Sequence, residues 1–311
     1  MNDVAIIGVG LHPFGRFDKT PMEMGAEAIN MALADAGLEW KDIQFAYGGS
    51  HVLSNTDAIT RVVGLTGIPF TNVSNACATS ASAIKNCAEA ISAGQYDIGI
   101  AVGMDKHPRG AFGGEPGALG LPRWYGESGM FLTTKFFGMK ANKYIHDHNI
   151  SQRTLARAAA KAFRNGEKNP LAFRRKPITE DEILESPALN YPLTQFMFCA
   201  PDEGAGAVIM CSKEVAARYT SNPIWLKSSE IRTRRYGAYE VHATCASATS
   251  EEVAPTVYAS KAAFEAAGVA PSDIGVIQLQ DTDAGAEIIH MAEAGFCEHG
   301  EQEKLLAEGA T

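Results

Sequence analysis

The chain has 311 residues, of which 46% are hydrophobic and 20% charged, and it carries a net charge of −9 at pH 7. This composition excludes a disordered or fibrous chain, and the length is sufficient for two units with their own cores. The acidic balance disfavours a phosphate backbone as the main partner, so we expect no nucleic-acid binding. No stretch approaches 18 apolar residues, and the chain starts directly on a strand pattern, so we expect no membrane span and a cytoplasmic protein.

Strand and helix patterns alternate along the chain. The strand patterns lie at residues 4–9, 45–48, 68–73, 97–102, 206–211, 224–231 and 276–279, and the helical patterns at 21–36, 77–94, 151–165, 252–267 and 284–294. This alternation predicts an α/β protein with helices packed on mostly buried sheets. A stretch rich in Gly and Pro from 103 to about 133 breaks the pattern, and we interpret it as a cap over a site or as part of a subunit contact.

A short internal repeat links the two ends of the chain. Residues 31–43 and 262–274 each read as a helix that stops at a glycine, Gly37 or Gly268, followed by a turn that closes on Asp-Ile and by a strand. The repeat predicts two related halves, although such a pattern also recurs by chance in α/β proteins.

Cys77 stands where the strand at 68–73 gives way to the helix at 77–94. On the first turn of a helix, unpaired N–H groups and the helix dipole favour the thiolate, which is a much better nucleophile than the thiol. The alternative is simple packing, because cysteines outside disulfides are among the most buried residues. The six cysteines have no CxxC spacing, so we expect reduced thiols, no disulfide framework and no metal site.

Three segments, residues 75–83, 101–105 and 191–207, carry a family resemblance that extends over nearly the whole chain. They resemble segments of the thiolase superfamily, in particular of its sterol-carrier-protein-X and lipid-transfer-protein branch. In order, the three segments resemble the nucleophile motif, the strand and turn that follow it, and the segment that leads into the second half. The resemblance implies an α/β thiolase fold of two related βαβαβαββ halves in five alternating layers. It also implies a dimer, acyl-CoA substrates and Cys77 as the acyl acceptor.

The resemblance divides the chain into two parts. The N-terminal half takes residues 1–220, with a Gly/Pro-rich cap insertion at 103–200, and an incomplete C-terminal half takes 221–311. The family's last third, with a glycine-rich His motif and a second Cys motif, has no counterpart here. We therefore expect a longer parent protein, the alternative being a member that lacks that chemistry.

The segment from 278 to 283 departs from the family pattern. The resemblance predicts a His-Asp-Cys-Phe type of turn, but Gln280 stands in place of the imidazole. A glutamine cannot take up a proton near neutral pH, so its expected role is to donate hydrogen bonds to a thioester oxyanion. Asp281 and Asp283 flank it, and each is a candidate general base or the N-cap of the helix at 284–294, with capping favoured for one of them. Helical spacing places His290 on the face of Asp283 or Glu287, although a lone helical His is more often a surface residue or one whose hydrogen bonds are satisfied.

Two basic patches are candidates for binding coenzyme A. We expect the phosphates to be bound by Lys106, His107 and Arg109. The adenine could stack on a surface formed by Arg234 and Tyr236. The alternatives for the first patch are a partner's carboxylates or plain solvation. We expect no covalently bound cofactor, with coenzyme A entering as part of the substrate.

The predicted function is CoA-dependent C–C bond cleavage, thiolytic or retro-aldol, in lipid or sterol side-chain degradation. The alternative is a noncatalytic acyl-CoA-binding or lipid-transfer scaffold subunit of a hetero-oligomer. Because members of this branch often act with a small OB-fold, zinc-ribbon protein, the resemblance also implies such a partner.

Overall fold

The computed structural model describes residues 4–107, 116–120, 122–129, 132–233 and 253–311. These residues form two compact units. Unit 1 contains residues 4–107, 171–173 and 202–231, and unit 2 contains the described residues of 116–170, 174–201 and 232–311. Within the described ranges, no helix is long and apolar enough to cross a bilayer. The division of the family halves at residue 220 stays a prediction.

Strands and helices alternate as predicted up to residue 106, and helices, including an unpredicted one at Thr133–Asp147, predominate after it. The strands are β1 (Val4–Leu11), β2 (Phe45–Gly49), β3 (Phe70–Val73), β4 (Ile98–Lys106), β5 (Ala188–Asn190), β6 (Leu193–Thr194), β7 (Glu203–Ser212) and β8 (Ile224–Trp225). The α-helices are α1 (Pro21–Ala36), α2 (Thr60–Val63), α3 (Thr79–Ser92), α4 (Trp124–Glu127), α5 (Thr133–Asp147), α6 (Gln152–Lys168), α7 (Glu180–Glu185), α8 (Lys213–Ala216), α9 (Pro255–Ala267), α10 (Ala284–Glu293) and α11 (Gln302–Glu308).

Unit 1 is built on a six-stranded sheet in the order β3-β2-β4-β7-β1-β8. Strands β2, β3 and β4 run parallel, whereas β7 is antiparallel to both β4 and β1. Helix α1 packs its apolar residues, such as Ile29 and Leu33, into the core on one face, and α3 packs Ala83, Cys87 and Ile91 into the core on the other. The α/β class with a sheet buried on both faces is therefore confirmed.

Unit 2 is mainly helical. Helix α10 packs on α5 and α6, and its Ala284 and Ile288 share a core with Ala141 and Leu155. The short strands β5 and β6 form an antiparallel pair.

Both copies of the sequence repeat adopt the same local geometry. Gly37 ends α1 and Gly268 ends α9 in the left-handed conformation, with φ of 66° and 68°. A 3-10 turn follows each glycine, and the carboxylate of Asp42 or Asp273 accepts the backbone N–H three residues earlier, at 2.9 and 2.8 Å. The predicted helix–glycine–turn pattern is thus confirmed in both places.

Several predicted strand bounds are wrong, and three of the differences matter for the fold. Residues 276–279 form no strand among the described residues, and Val276 is 85% exposed, because no described neighbouring strand pairs with its backbone. The strand predicted at 224–231 pairs with β1 only at Ile224 and Trp225. The break predicted at residue 103 begins later, since β4 pairs with β7 as far as Lys106.

Candidate functional site

Cys77 lies on a tight turn between β3 and α3. It is the middle residue of a 3-10 helix, Ala76–Ala78, and its side chain is exposed. Ala76 has a φ of 44°, a left-handed conformation that costs a non-glycine residue about 1 to 2 kcal/mol. The position predicted for Cys77 on the first turn of α3 is corrected, because this tighter turn comes first and α3 begins at Thr79.

Side-chain hydrogen bonds hold the strained turn in place. The hydroxyl of Thr79 accepts the N–H of Asn75 at 2.9 Å and donates to the carbonyl of Ala76 at 2.7 Å. The side-chain amide of Asn75 donates to Ser82 Oγ at 2.9 Å. A strained backbone persists where its surroundings fix it in several ways, and such positions concentrate at functional sites.

Two glycines in the sheet allow α3 to approach the strands closely. A Cβ on Gly49, at the end of β2, would lie 2.1 Å from Thr79 Cγ2, and a Cβ on Gly103 in β4 would lie 2.1 Å from Ser80 Oγ. The start of α3 therefore packs directly on the carboxyl ends of the parallel strands β2 and β4. In α/β sheets this is the edge where ligands usually bind, and Cys77 precedes this contact by two residues.

The environments of the five described cysteines set Cys77 apart. Cys77 is exposed, Cys199 is half-buried, and Cys245 lies outside the described residues. Burial raises the pKa of Cys87 and raises the pKa of Cys211 and Cys297 to about 11. A high pKa leaves little thiolate, so these three thiols are poor nucleophiles. The role of Cys77 as acyl acceptor remains a prediction.

Lys106 makes contacts within unit 1 that anchor the segment after β1. Its Nζ donates to the carbonyls of Phe17 and Lys19 at 2.6 and 2.9 Å and lies 3.8 Å from Glu203 Oε2. Glu203 is 5% exposed and also accepts from Arg16 Nη1 at 3.0 Å and from the N–H of Phe17 at 2.8 Å. Burial by itself would raise the pKa of Glu203, but the Phe17 N–H, Arg16 and Lys106 hold it below its usual value. Phosphate binding by Lys106 stays a prediction.

Of the other four residues predicted to bind coenzyme A, the structure describes only His107. The ring of His107 lies 5.6 Å from the ring of His51, and the His107 carbonyl accepts a hydrogen bond from Arg16. Arg109, Arg234 and Tyr236 lie outside the described residues.

In unit 2, Asp283 is the N-cap of α10. Its Oδ1 accepts the N–H groups of Gly285 and Ala286 at 2.8 and 3.1 Å, and the residue is 2% exposed. Its Oδ2 is buried and has no hydrogen-bond partner among the described residues. Burial raises the pKa of Asp283 to about 6, against the lowering effect of the two N–H donors and Lys140. The expectation that one of the two aspartates caps this helix is met by Asp283.

Asp281 is exposed and differs from Asp283 in its contacts. Partial desolvation raises its pKa, and nearby Lys161 opposes this shift. Lys161 itself pairs with Glu287 on α10, with Nζ and Oε1 2.5 Å apart. Of the two aspartates next to Gln280, Asp281 is thus the one whose carboxylate solvent or a small molecule can reach.

Gln280 is in contact with an imidazole. His290 Nε2 lies 3.1 Å from Gln280 Oε1, and His290 Nδ1 lies 2.8 Å from Glu293 Oε2. The Gln280 side-chain amide also contacts Thr282 Oγ1. The predicted approach of His290 to Asp283 or Glu287 is wrong, because the ring turns toward Gln280 and toward Glu293, one turn further along α10.

Sequence reasoning missed Glu203 and Glu293 as members of these clusters. Glu203 lies far along the chain from Arg16 and Phe17, so no local pattern reveals the contact. Glu293, in contrast, stands three residues after His290, which is the spacing of neighbours on a helix. That spacing was a usable signal for a His–carboxylate pair.

Two family models match the chain. Residues 4–178 match the thiolase N-terminal domain, and residues 237–311 match the thiolase C-terminal domain-like family. The first match alone covers more than half of the chain.

Several known proteins are similar along almost the whole chain. The acetyl-CoA acetyltransferase of Methanothermobacter thermautotrophicus is 28% identical, with 100% of this chain and 82% of the relative covered. The benzoylsuccinyl-CoA thiolase subunit BbsB of Thauera aromatica is 27% identical, with 98% and 79% covered. Sterol carrier protein 2 of Gallus gallus is 25% identical, and the match covers 98% of this chain but 58% of that longer protein.

A solved structure agrees at the level of the fold. The Ltp2-ChsH2(DUF35) aldolase superposes with a TM-score of 0.83 over 99% of this chain and 81% of that chain, at 22% identity. The chain therefore belongs to the thiolase family, and it is a thiolase-like enzyme.

Proposed function

We propose that the chain cleaves a C–C bond in an acyl-CoA thioester, by thiolysis or by a retro-aldol reaction, in the breakdown of lipid or sterol side chains. The observation that carries this proposal is the Cys77 turn, an exposed thiol on a strained and hydrogen-bonded turn at the carboxyl ends of parallel strands. The similarity to an acetyl-CoA acetyltransferase and to a benzoylsuccinyl-CoA thiolase subunit supports a CoA thioester as substrate.

In the thiolytic reaction, Cys77 would attack the β-carbonyl carbon of a 3-ketoacyl-CoA. The bond between the α- and β-carbons breaks, its electron pair passes to the enolate of the departing thioester, and that enolate takes up a proton. The acyl group is left on Cys77 Sγ, from which the thiol of free coenzyme A removes it.

In the retro-aldol reaction, a base takes the proton of a β-hydroxyl group and the same C–C bond breaks to give a carbonyl product and a thioester enolate. The amide N–H of Gln280 is suited to stabilise an enolate oxygen but cannot carry protons. Asp281 is the better base of the two aspartates, because its carboxyl is exposed, whereas that of Asp283 is buried beneath the start of α10. The glutamine favours the retro-aldol alternative, since thiolysis has more proton transfers to complete.

The assembly is also part of the proposal. The similar proteins include a subunit of a benzoylsuccinyl-CoA thiolase and an aldolase that contains a DUF35 protein, which supports a hetero-oligomer. We propose that the partner is the small OB-fold, zinc-ribbon protein that the family resemblance implies. We further propose a homodimer and a cytoplasmic location, where a catalytic thiol stays reduced.

Two assays on the full chain, each with and without the partner, test the reaction. Acetoacetyl-CoA with free coenzyme A reports thiolysis, and a β-hydroxyacyl-CoA reports retro-aldol cleavage. For a retro-aldolase, Cys77→Ala keeps activity on the β-hydroxyacyl-CoA, and Asp281→Asn lowers it by about 10²- to 10⁴-fold. For a thiolase, Cys77→Ala abolishes turnover of acetoacetyl-CoA, while Cys297→Ala serves as the control.

The outcomes separate the alternatives. If Asp283→Asn loses activity on the β-hydroxyacyl-CoA and Asp281→Asn does not, the buried carboxyl is the base. If neither substrate is turned over but acetyl-CoA still binds in calorimetry, the proposal of C–C bond cleavage fails and the scaffold alternative is favoured.

A further inference from the structure

Gln280 is the end of a chain of polar side chains within unit 2. Glu293 contacts His290, His290 contacts Gln280, and Gln280 contacts Thr282, with 2.8 Å and 3.1 Å for the first two steps. Thr256 Oγ1, at the start of α9, lies 3.4 Å from His290 Nδ1. The mechanism above uses Gln280 but assigns nothing to His290 or Glu293.

The pair behind Gln280 is well shielded from solvent. The side chains of His290 and Glu293 are 13% and 10% exposed, whereas Gln280 is exposed. Burial by itself would raise the pKa of Glu293, but the contact with His290 and the charge of Lys140 on α5 hold it below its usual value. Glu293 is therefore ionised near neutral pH and can only accept hydrogen bonds.

The hydrogen-bond inventory decides how Gln280 is oriented. Because Glu293 only accepts, His290 Nδ1 carries a proton. The oxygen of Gln280 lies 3.1 Å from Nε2, so the ring stands between the Glu293 carboxylate and the amide oxygen. The hydroxyl of Thr282 can donate or accept, so it does not select an orientation of the amide. With its oxygen at the ring, the amide turns its NH₂ group toward Thr282 Oγ1, and the second hydrogen of that group is left for another acceptor.

We propose that His290, oriented by Glu293, is a positioning residue that holds the oxygen of Gln280 inward and presents its NH₂ group to the thioester oxygen. This inference rests on the proposed function, in which Gln280 donates to the enolate oxygen. An amide that is free to flip would present its own oxygen to the enolate in part of the molecules, and that arrangement is repulsive. Fixing the orientation of the amide in advance avoids this repulsion, because hydrogen-bond donors are most effective when they are already oriented toward the developing charge.

Two substitutions of His290 form a matched pair. In His290→Asn the shorter side chain can replace Nδ1 and keep the contact with Glu293, but it does not reach Gln280. In His290→Gln the longer side chain can replace Nε2 and still donate to Gln280. Both variants are neutral and polar, so a merely structural role for His290 predicts similar effects from the two. Thermal unfolding of both variants checks that each is folded.

The measurement is kcat and KM on acetoacetyl-CoA with coenzyme A and on a β-hydroxyacyl-CoA, with the full chain and its partner. We expect His290→Asn to lower kcat by about tenfold or more with KM changed less than about twofold, because misplacing a catalytic group affects the transition state. We expect His290→Gln to lose clearly less than His290→Asn, because its amide can still donate to Gln280. Gln280→Ala should lower kcat by about 10²- to 10³-fold, and adding His290→Asn to it should cause no further loss, since the two residues act as one unit.

Each contrary result has a separate meaning. Equal losses in the Asn and Gln variants, or losses that multiply in the double variant, would overturn the positioning role. A loss in Gln280→Ala without a loss in His290→Asn would overturn it while leaving the donor role of Gln280 intact. An unchanged Gln280→Ala would overturn the donor role and the inference together, and so would a folded protein that turns over neither substrate.

Discussion

The buried carboxyl of Asp283 makes a testable contribution to the pH dependence of stability. The substitution Asp283→Asn keeps an oxygen that can accept the N–H groups of Gly285 and Ala286 but removes the charge. Because burial raises the pKa of Asp283 from 3.8 to about 6, the folded chain holds this proton more tightly than the unfolded chain. Its contribution to stability is therefore complete below pH 3.8 and is lost as the pH rises through about 6.

The magnitude follows from the two pKa values. At about 1.36 kcal/mol for each pKa unit, the rise from 3.8 to about 6 corresponds to about 3 kcal/mol in the free energy of unfolding. About 2 kcal/mol of this stabilisation is lost as the pH rises from 4.5 to 8. The new NH₂ group takes the place of Oδ2, which has no described partner, so the variant also carries a pH-independent cost of about 1 to 3 kcal/mol.

The assay is urea unfolding of the full chain and of Asp283→Asn at pH 4.5 and pH 8, followed by circular dichroism. We expect the stability of the variant relative to the unmodified chain to rise by about 2 kcal/mol from the lower to the higher pH. Asp273→Asn, at an exposed aspartate that also caps a turn, is the matched control. A difference between Asp283→Asn and the unmodified chain that is the same at both pH values would refute the reasoning.

Three further predictions concern unit 1. Brief, substoichiometric iodoacetamide treatment followed by mass spectrometry should label Cys77 before the other cysteines, since it is exposed, and earlier labelling of any of the others would contradict its assignment. Gly49→Ala should cost about 1 to 3 kcal/mol in unfolding experiments, because its Cβ would lie 2.1 Å from Thr79 Cγ2. Adding Thr79→Ser removes that methyl group and should recover part of the loss; no recovery would show that the contact is not the cause. Glu203→Gln should lower the free energy of unfolding by about 1 to 3 kcal/mol, because Arg16, Lys106 and the N–H of Phe17 lose their contacts with a buried carboxylate. An unchanged urea midpoint would contradict this.

Local features of the chain were well determined by the sequence. Helix α1 spans the predicted residues 21–36 and ends at the predicted Gly37, and the structure adds a Thr20–Glu23 capping box at its start. Periodicity also located the central strands and Cys77 at the junction of β3 and α3. These features depend on residues a few positions apart, so the information lies within a short window of sequence.

The tertiary structure decided which distant groups meet. No local pattern shows that Glu203 would accept hydrogen bonds from Arg16 and Phe17, or that the ring of His290 would turn toward Gln280 and not toward Asp283. Likewise, an apolar run such as 276–279 becomes a strand only where a neighbouring strand supplies hydrogen-bond partners, and none of the described strands does so. Strand pairing, burial and the resulting pKa of Asp283 depend on neighbours brought together by folding, so the sequence could name the candidate residues but could not establish their contacts.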